Sequence, residues 1–243
     1  MREQQGKSKW KRWSRRIALA AAVSMVVALV AAWLAFQHIP SWYNPPKITS
    51  DDLPRIRASL PNTYQAFTDL LVAGEVFEFT LSAMTVNEWI AARAELWPDA
   101  QDWVPTNIAE PVVAFEDDAL ILAGRFERGN FQGILSIRLV ISVGGDELVA
   151  RVAGVGVGSL GIPKDALIDI LDDYLAQWKI DEAVLSETVA GLGRPLVRTK
   201  SVRPYFEGVN IANRIRWSNG DRDFRLLSVR AQDGLLTLQI EPL

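Results

Sequence analysis

The feature that most constrains this chain is an uncharged apolar segment near its amino terminus. Residues Ile17–Phe36 contain one polar side chain, Ser24, and no Lys, Arg, Asp or Glu occurs between residues 17 and 46. Twenty helical residues span about 30 Å, the thickness of the hydrocarbon core of a bilayer. Only a helix satisfies its own backbone polar groups there. The segment therefore predicts a transmembrane helix over residues 17–39.

Charge is distributed unevenly on the two sides of this segment. Residues 1–16 carry seven basic side chains and one acidic one, whereas residues 47–243 carry a formal charge of −9. Basic residues beside a membrane helix stay in the cytoplasm. We therefore expect a membrane protein with a single pass, a basic cytoplasmic tail over residues 1–16 and its carboxy-terminal domain outside. An acidic domain in that location is not expected to bind nucleic acid.

A cleaved signal peptide and a buried core helix are the alternatives to a signal-anchor. The apolar stretch of a signal peptide usually runs about 7–15 residues, which is shorter than the segment found here. The segment also ends among aromatic side chains typical of a membrane interface, namely Trp33, Phe36, Trp42 and Tyr43. A core helix would rarely be so uniformly apolar beside such a basic cluster. These features favour the anchor.

The rest of the chain predicts a linker and one domain. Residues 40–49 are rich in proline, which favours an extended chain leading away from the bilayer. Residues 50–243 predict a single extracytoplasmic α+β domain, in which amphipathic helices pack on one face of a twisted antiparallel sheet. The strands between residues 112 and 157 are separated by short turns, and such turns join antiparallel strands.

Two helix starts in this domain carry local signals. Thr85 and Glu88 have the spacing of a capping box, in which each side chain bonds a free backbone amide at the helix start. Pro163 suits the first position of a second amphipathic helix that reaches Trp178. Gly158-Ser-Leu-Gly-Ile-Pro163 stands directly before that helix, and a closing strand ends at Pro242.

This layout resembles the YpmS-like family of bacterial single-pass membrane-anchored proteins over residues 76–242. The resemblance depends mainly on Gly158–Pro163, with weaker support from Leu81–Glu88 and Leu235–Pro242. It implies an amino-terminal anchor followed by an outer domain. It implies no catalytic residues.

The scarcity of imidazole and thiol side chains excludes several chemistries. The chain has no cysteine and one histidine, His38, at the exit of the apolar segment. A disulfide framework, thiolate-bound zinc, a cysteine nucleophile and a Ser-His-Asp triad are therefore not expected in the outer domain. We predict no cofactor, no metal and no enzymatic activity. The alternative is a carboxylate-dependent envelope hydrolase, for which two acids must flank the scissile bond; its candidates are Glu116, Asp117, Asp118, Asp172 and Asp173.

One charged region stands out in the outer domain. Residues 194–230 hold nine basic and three acidic side chains, whereas residues 165–187 hold seven acidic side chains and one lysine. The two blocks either neutralise each other as mixed surface charge or leave an arginine face for anionic headgroups or a partner. Guanidinium groups bind phosphate through paired hydrogen bonds. The predicted ligand-binding residues are Arg214, Arg216, Arg222 and Arg225.

The aromatic content of the helices suggests a groove between the helix at 163–178 and the sheet. Its predicted lining residues are Trp89, Leu171, Tyr174 and Trp178. The resulting functional hypothesis is a non-enzymatic membrane-anchored protein of the cell envelope. Its outer domain would bind a lipid or other apolar ligand, or a protein partner such as another envelope protein.

Placing charge in the apolar segment should prevent membrane integration. Each arginine in Val26→Arg/Val27→Arg disfavours insertion at the helix centre by about 2.5–3.5 kcal/mol. We expect the variant to be extracted by carbonate and the wild type to stay in the membrane, as measured by fractionation. Residues 47–243 made alone are expected to stay folded and soluble. A wild-type chain that carbonate releases, or that is found outside the cell shortened near residue 40, would contradict the anchor.

Overall fold

The structure, a computed structural model, describes residues 4–98, 104, 107–128, 131–177, 201–217 and 222–243. The helices are α1 Gln4–Gln37, α2 Leu53–Ala73, α3 Ala83–Ala91, α4 Arg93–Leu96, α5 Lys164–Gln177 and α6 Arg203–Glu207. The strands are β1 Phe77–Ser82, β2 Ile108–Glu116, β3 Ala119–Arg128, β4 Phe131–Gly144, β5 Glu147–Val157, β6 Leu160–Ile162, β7 Val209–Ala212, β8 Ile215–Trp217, β9 Arg222–Gln232 and β10 Leu235–Pro242.

Helix α1 contains the apolar segment found in the sequence. Its part Ile17–Gln37 is long and apolar enough to cross a membrane, and none of it is buried in the rest of the chain. The helix also extends back through the basic residues to Gln4. Among the α1 side chains that the structure describes, those of Ala35 and Phe36 in the last turn lose part of their exposure to the domain that follows.

The predicted combination of helices and antiparallel strands is confirmed, but the prediction of a single sheet is wrong. Among the described residues, β2-β3-β4-β5-β6 form one antiparallel sheet, which β7 joins through β5, and β1-β10-β9-β8 form another. The outer edge of β2 is occupied by α3, because Asn87 donates to the Val113 carbonyl and accepts from the Val113 amide. The carboxy-terminal hairpin pairs instead with β1, where Phe77 lies opposite Ile240.

The smaller sheet and α2 enclose the main hydrophobic cluster. Phe67 and Leu71 of α2 are buried against Phe224, Leu226 and Ile240 of β9 and β10. The cluster also includes Leu148 of β5, so the two sheets share a core. Gly74 ends α2, adopting a left-handed conformation (φ +74°) that suits a residue without a Cβ.

The start of α3 differs from the predicted capping box. Ser82, not Thr85, is the N-cap, and its hydroxyl accepts a hydrogen bond from the Thr85 amide at 3.0 Å. Glu88 does not serve the cap, because its carboxylate pairs with both terminal nitrogens of Arg55 on α2, each at 2.8 Å. The helix therefore begins one turn earlier than the sequence indicated, where β1 ends.

A buried asparagine joins the two sheets. Asn213 is 3% exposed, and its amide nitrogen donates to the carbonyls of Gly145 and Leu226 at 2.6 and 2.7 Å. Its amide oxygen accepts from the Leu226 amide at 2.8 Å. The side chain thus connects the β4–β5 turn to β9 and bonds three backbone groups, two of which belong to the buried Leu226.

Removing this side chain should destabilise the domain. Asn213→Ala leaves three backbone groups without their partner, and we expect a loss of about 2–4 kcal/mol in the free energy of unfolding. The exposed Asn210 on β7 offers a matched control, since Asn210→Ala should change stability by less than about 0.5 kcal/mol. Urea unfolding of the full chain in detergent measures both. Equal effects of the two substitutions would show that the bridge does not hold the sheets together.

Candidate functional site

The end of α1 is in contact with the hairpin between β5 and β6. The Ser159 amide donates to the Ala35 carbonyl at 2.8 Å, so the domain satisfies one of the last carbonyls of the helix. The Ser159 hydroxyl lies 2.5 Å from Nδ1 of His38. His38, at the exit of the apolar segment, therefore takes part in joining the helix to the domain.

The chain after α1 packs on the larger sheet and does not lead away as an extended linker. It turns at once, since the Tyr43 amide donates to the Pro40 carbonyl at 3.0 Å. Tyr43 is 6% exposed and lies in a cluster with Val112, Ala123 and Ile134. Its hydroxyl donates to the Glu110 carbonyl at 2.8 Å. Burial, together with the carboxylate of Glu110, raises the pKa of Tyr43 above its ordinary value.

Because Trp42 and Tyr43 pack on the sheet, the domain that follows α1 begins before residue 47. A fragment that begins at residue 47 lacks Tyr43 and the partly buried Trp42, which packs against the same cluster. The sheet surface that these two aromatic side chains cover would then be exposed to water. A fragment that keeps the whole core must begin before Trp42.

Beside Trp42, the same face of the sheet forms an open groove of about 330 Å³, which we call the glycine groove. Residues from the linker, β3, β4, β5 and the β5–β6 hairpin line this groove. The lining residues are Pro40, Trp42, Ile121, Ser136, Arg138, Gly154, Val155, Gly156, Gly158, Ser159 and Gly161.

Glycines at alternate positions of β5 create this groove. Alternate residues of a strand face the same side, so Gly154 and Gly156 leave one face of β5 without side chains. A Cβ on Gly154 would meet nothing within 4 Å, whereas one on Gly156 would lie 3.1 Å from the Leu160 carbonyl. The floor is therefore backbone, with Trp42 beside it.

Polar side chains lie at two places in the groove. Arg138 stands opposite Gly154 in the β4–β5 pairing, and its guanidinium donates to the Asp117 carboxylate at 2.9 Å. Ser136 lies opposite Gly156, and Ser159 lies near the end of α1. The Asp117 side chain is 85% exposed, so water and ions screen the ion pair with Arg138.

Sequence reasoning missed this groove. Gly154-Val-Gly-Val-Gly158 has glycine at every second position, a pattern that signals a strand face without side chains. The position of Trp42 beside that face depends on the turn at Pro40, which no local pattern shows.

Of the residues predicted to line a groove between the second amphipathic helix and the sheet, only the Trp89 side chain lies in the described part of the chain, so that groove stays a prediction. Trp89 lies between α3 and α2, and its indole donates to the Ser59 hydroxyl at 2.9 Å. Leu171 and Tyr174 belong to α5, but their side chains lie outside the described part of the chain, as does the whole of Trp178. In the described half of α5, Leu167 and Ile168 are buried against Phe206 in a packed cluster.

The predicted arginine face is partly neutralised by neighbouring acids. Arg214 pairs with Asp223 at 2.7 Å, and Arg225 pairs with Glu241. These acids are not from residues 165–187, the block expected to answer the arginines. Arg216 and Arg222 line a smaller surface hollow with Asp223 and the terminal Leu243.

The carboxylates considered for a hydrolase lie in two separate places. Asp117 and Asp118 are exposed in the turn between β2 and β3, beside Glu116 at the end of β2. Asp172 accepts hydrogen bonds from the Ser201 hydroxyl and the Val202 amide, both at 2.7 Å. The side chain of Asp173 lies outside the described part. Among the described residues, no group of three His, Asp or Glu side chains could hold a metal ion.

No family model, curated protein or solved structure matches this chain. The resemblance to the YpmS-like family accordingly stays a prediction.

The hydrogen bonds to Asp172 should make stability depend on pH. The Ser201 hydroxyl, and then the Val202 amide, lower the pKa of Asp172 in the folded chain. A lowered folded pKa contributes stability that is full above the unfolded pKa of about 3.9 and is lost as pH falls through the folded value. Asp172→Ala should lower the melting temperature at neutral pH, and the difference from wild type should shrink in acid.

The control for this substitution is Asp169→Ala, on the exposed side of the same helix. It changes helix propensity equally and should leave the melting temperature nearly unchanged. Thermal unfolding in detergent across acidic and neutral pH measures both variants. A difference between Asp172→Ala and wild type that stays constant with pH would contradict the role of the ionised carboxylate.

Proposed function

We propose that this chain is a single-pass membrane-anchored protein of the bacterial cell envelope that binds a lipid or similar amphiphile in the glycine groove and does not act as an enzyme. In this proposal α1 crosses the cytoplasmic membrane with the basic tail inside, and the two-sheet domain lies outside. The resemblance to the YpmS-like family agrees with this layout.

The observation that carries the proposal is the position of the groove at the end of α1. Gly158 and Ser159 line the groove, and the Ser159 amide also bonds the Ala35 carbonyl of the helix. If α1 crosses the membrane, one end of the groove opens beside the lipid headgroups. A bilayer lipid would then reach the groove without passing through water.

The chemistry of the lining suits an amphiphile. Trp42, Pro40 and Ile121 offer apolar contact above a glycine floor. Arg138 and the hydroxyl of Ser136 provide polar groups that can bind a phosphate or glycerol oxygen. Small-molecule sites are mostly apolar with a few placed polar groups, and a volume of about 300 Å³ is at the lower end of their range. The groove would hold part of a lipid and not a whole one.

A side chain that fills the groove should weaken the binding of lipid. Gly154→Leu places a side chain in the open space above β5, and we expect the affinity for a fluorescent short-chain phosphatidylglycerol to fall at least about tenfold, or 1.4 kcal/mol. Titration of the full chain in a non-ionic detergent, followed by fluorescence anisotropy, measures this. The control is Gly144→Leu, at an exposed position at the far end of β4, where a Cβ meets only ordinary contacts.

The control should bind as the wild type does. If wild type and both variants bind the probe equally, the lipid does not occupy the groove. If the wild type does not bind it, and mass spectrometry finds no co-purified lipid, the lipid-binding proposal is wrong, and a protein partner becomes the next occupant to test.

A further inference from the structure

We infer that the β5–β6 hairpin is a membrane-contacting surface, which lies in the headgroup layer of the bilayer that α1 crosses and holds the domain in one orientation on it. The inference rests on the membrane-anchoring part of the proposed function. It does not depend on what the glycine groove binds.

The first step is the distance between the hairpin and the end of the helix. The Ser159 nitrogen lies 2.8 Å from the Ala35 oxygen. Trp33 and Phe36 stack with ring centroids 5.9 Å apart, and such aromatic pairs mark the edge of the hydrocarbon core. The headgroup layer beyond that edge is about 5–7 Å thick on each side. The hairpin tip is therefore within the layer.

The second step is that this approach requires a glycine. A Cβ on Gly158 would lie 2.4 Å from the carbonyl oxygens of both Ala35 and Phe36, which are backbone atoms in a helix and cannot move aside easily. On the neighbouring strand, a Cβ on Gly133 would be 3.5 Å from the Phe36 ring. The Gly133 distance is an ordinary contact, so Gly158 is the glycine that this approach requires. Close backbone packing at Gly158 therefore sets the angle of the last turn of α1 to the domain.

The third step is the character of the hairpin tip. Leu160 follows Ser159 and remains 37% exposed, with the exposed Gly161 after it. Leu160 therefore presents an exposed apolar side chain in a strand that contacts α1. The partner that fits this surface is the lipid interface itself.

The opposite end of the domain supplies a control position. Leu235 is 45% exposed, and the turn before it bonds the carbonyl of Phe115 through the Gly234 amide. Phe115 pairs with Leu120 of β3, which lies six residues, about 20 Å, along the strand from Phe126. Phe126 pairs with Gly133, near Phe36. Leu160 and Leu235 therefore have similar exposure but lie at opposite ends of the domain.

The absence of native cysteine makes a direct test possible. Leu160→Cys and Leu235→Cys, each labelled with a nitrobenzoxadiazole dye, are reconstituted as full chains in liposomes of phosphatidylcholine and phosphatidylglycerol. A lipid with a nitroxide on its headgroup is then added. We expect several-fold stronger quenching of the dye at position 160 than at position 235, with blue-shifted emission at 160 only.

A second pair of variants tests whether glycine holds the hairpin in place. Gly158→Ala in the Leu160→Cys chain should move the hairpin off the helix end and reduce quenching at 160 toward that at 235. Gly145→Ala is the matched control, because Gly145 has a similar backbone angle (φ +68° against +60°) but open space around its Cβ. It should leave the quenching unchanged.

The outcomes separate this inference from the proposed function. If carbonate releases the wild-type chain from the liposomes, the anchor and this inference are both overturned. If the chain stays in the bilayer but positions 160 and 235 are quenched equally, only the hairpin contact is overturned. If quenching differs between the positions but Gly158→Ala behaves as Gly145→Ala does, the hairpin touches lipid without being fixed by the helix carbonyls, and the fixed orientation is overturned.

Discussion

The hydrogen bond between the Ser159 amide and the Ala35 carbonyl is the contact on which the arrangement of this molecule depends. The last carbonyls of any helix lack an intrahelical partner, and this need is acute where a helix leaves an apolar environment. Here the β5–β6 hairpin supplies a donor. Just beyond this contact the chain turns between Pro40 and Tyr43, and the turn places Trp42 and Tyr43 on the sheet.

The linker is consequently part of the fold and part of the site. Tyr43 packs against side chains of β2, β3 and β4 on one face of the sheet, while Trp42 lies beside the alternate glycines of β5. The glycine groove exists only because a side chain from the linker borders a strand face that has none. The apolar helix, the core and the candidate site are thus connected within a few residues.

Local features of the fold could be predicted from the sequence, and pairings between distant segments could not. The turns at Asp117-Asp118, Gly144-Gly145 and Asp233-Gly234 and the helix end at Gly74 follow from residue preferences within a few positions. The two-sheet arrangement depends on Asn87 occupying the edge of β2, which no short pattern shows. The arginines at 214 and 225 were recognised as charged but not as paired, because Asp223 and Glu241 reach them only through strand register. The glycine groove could not be predicted because it is formed jointly by the turn of the linker and by the sheet.

The pairing of β1 with β10 has a consequence for how the chain is made. The paired residues are more than 150 positions apart, so the smaller sheet cannot close until the last strand has been synthesised. Contacts of such long range form slowly, and an unpaired strand edge invites wrong partners in the meantime. If the chain is exported as it is synthesised, β1 emerges early and waits beside the membrane for almost the entire remaining chain. The period of greatest risk is therefore the interval before β10 is made, and a chain truncated before β10 would remain in that state.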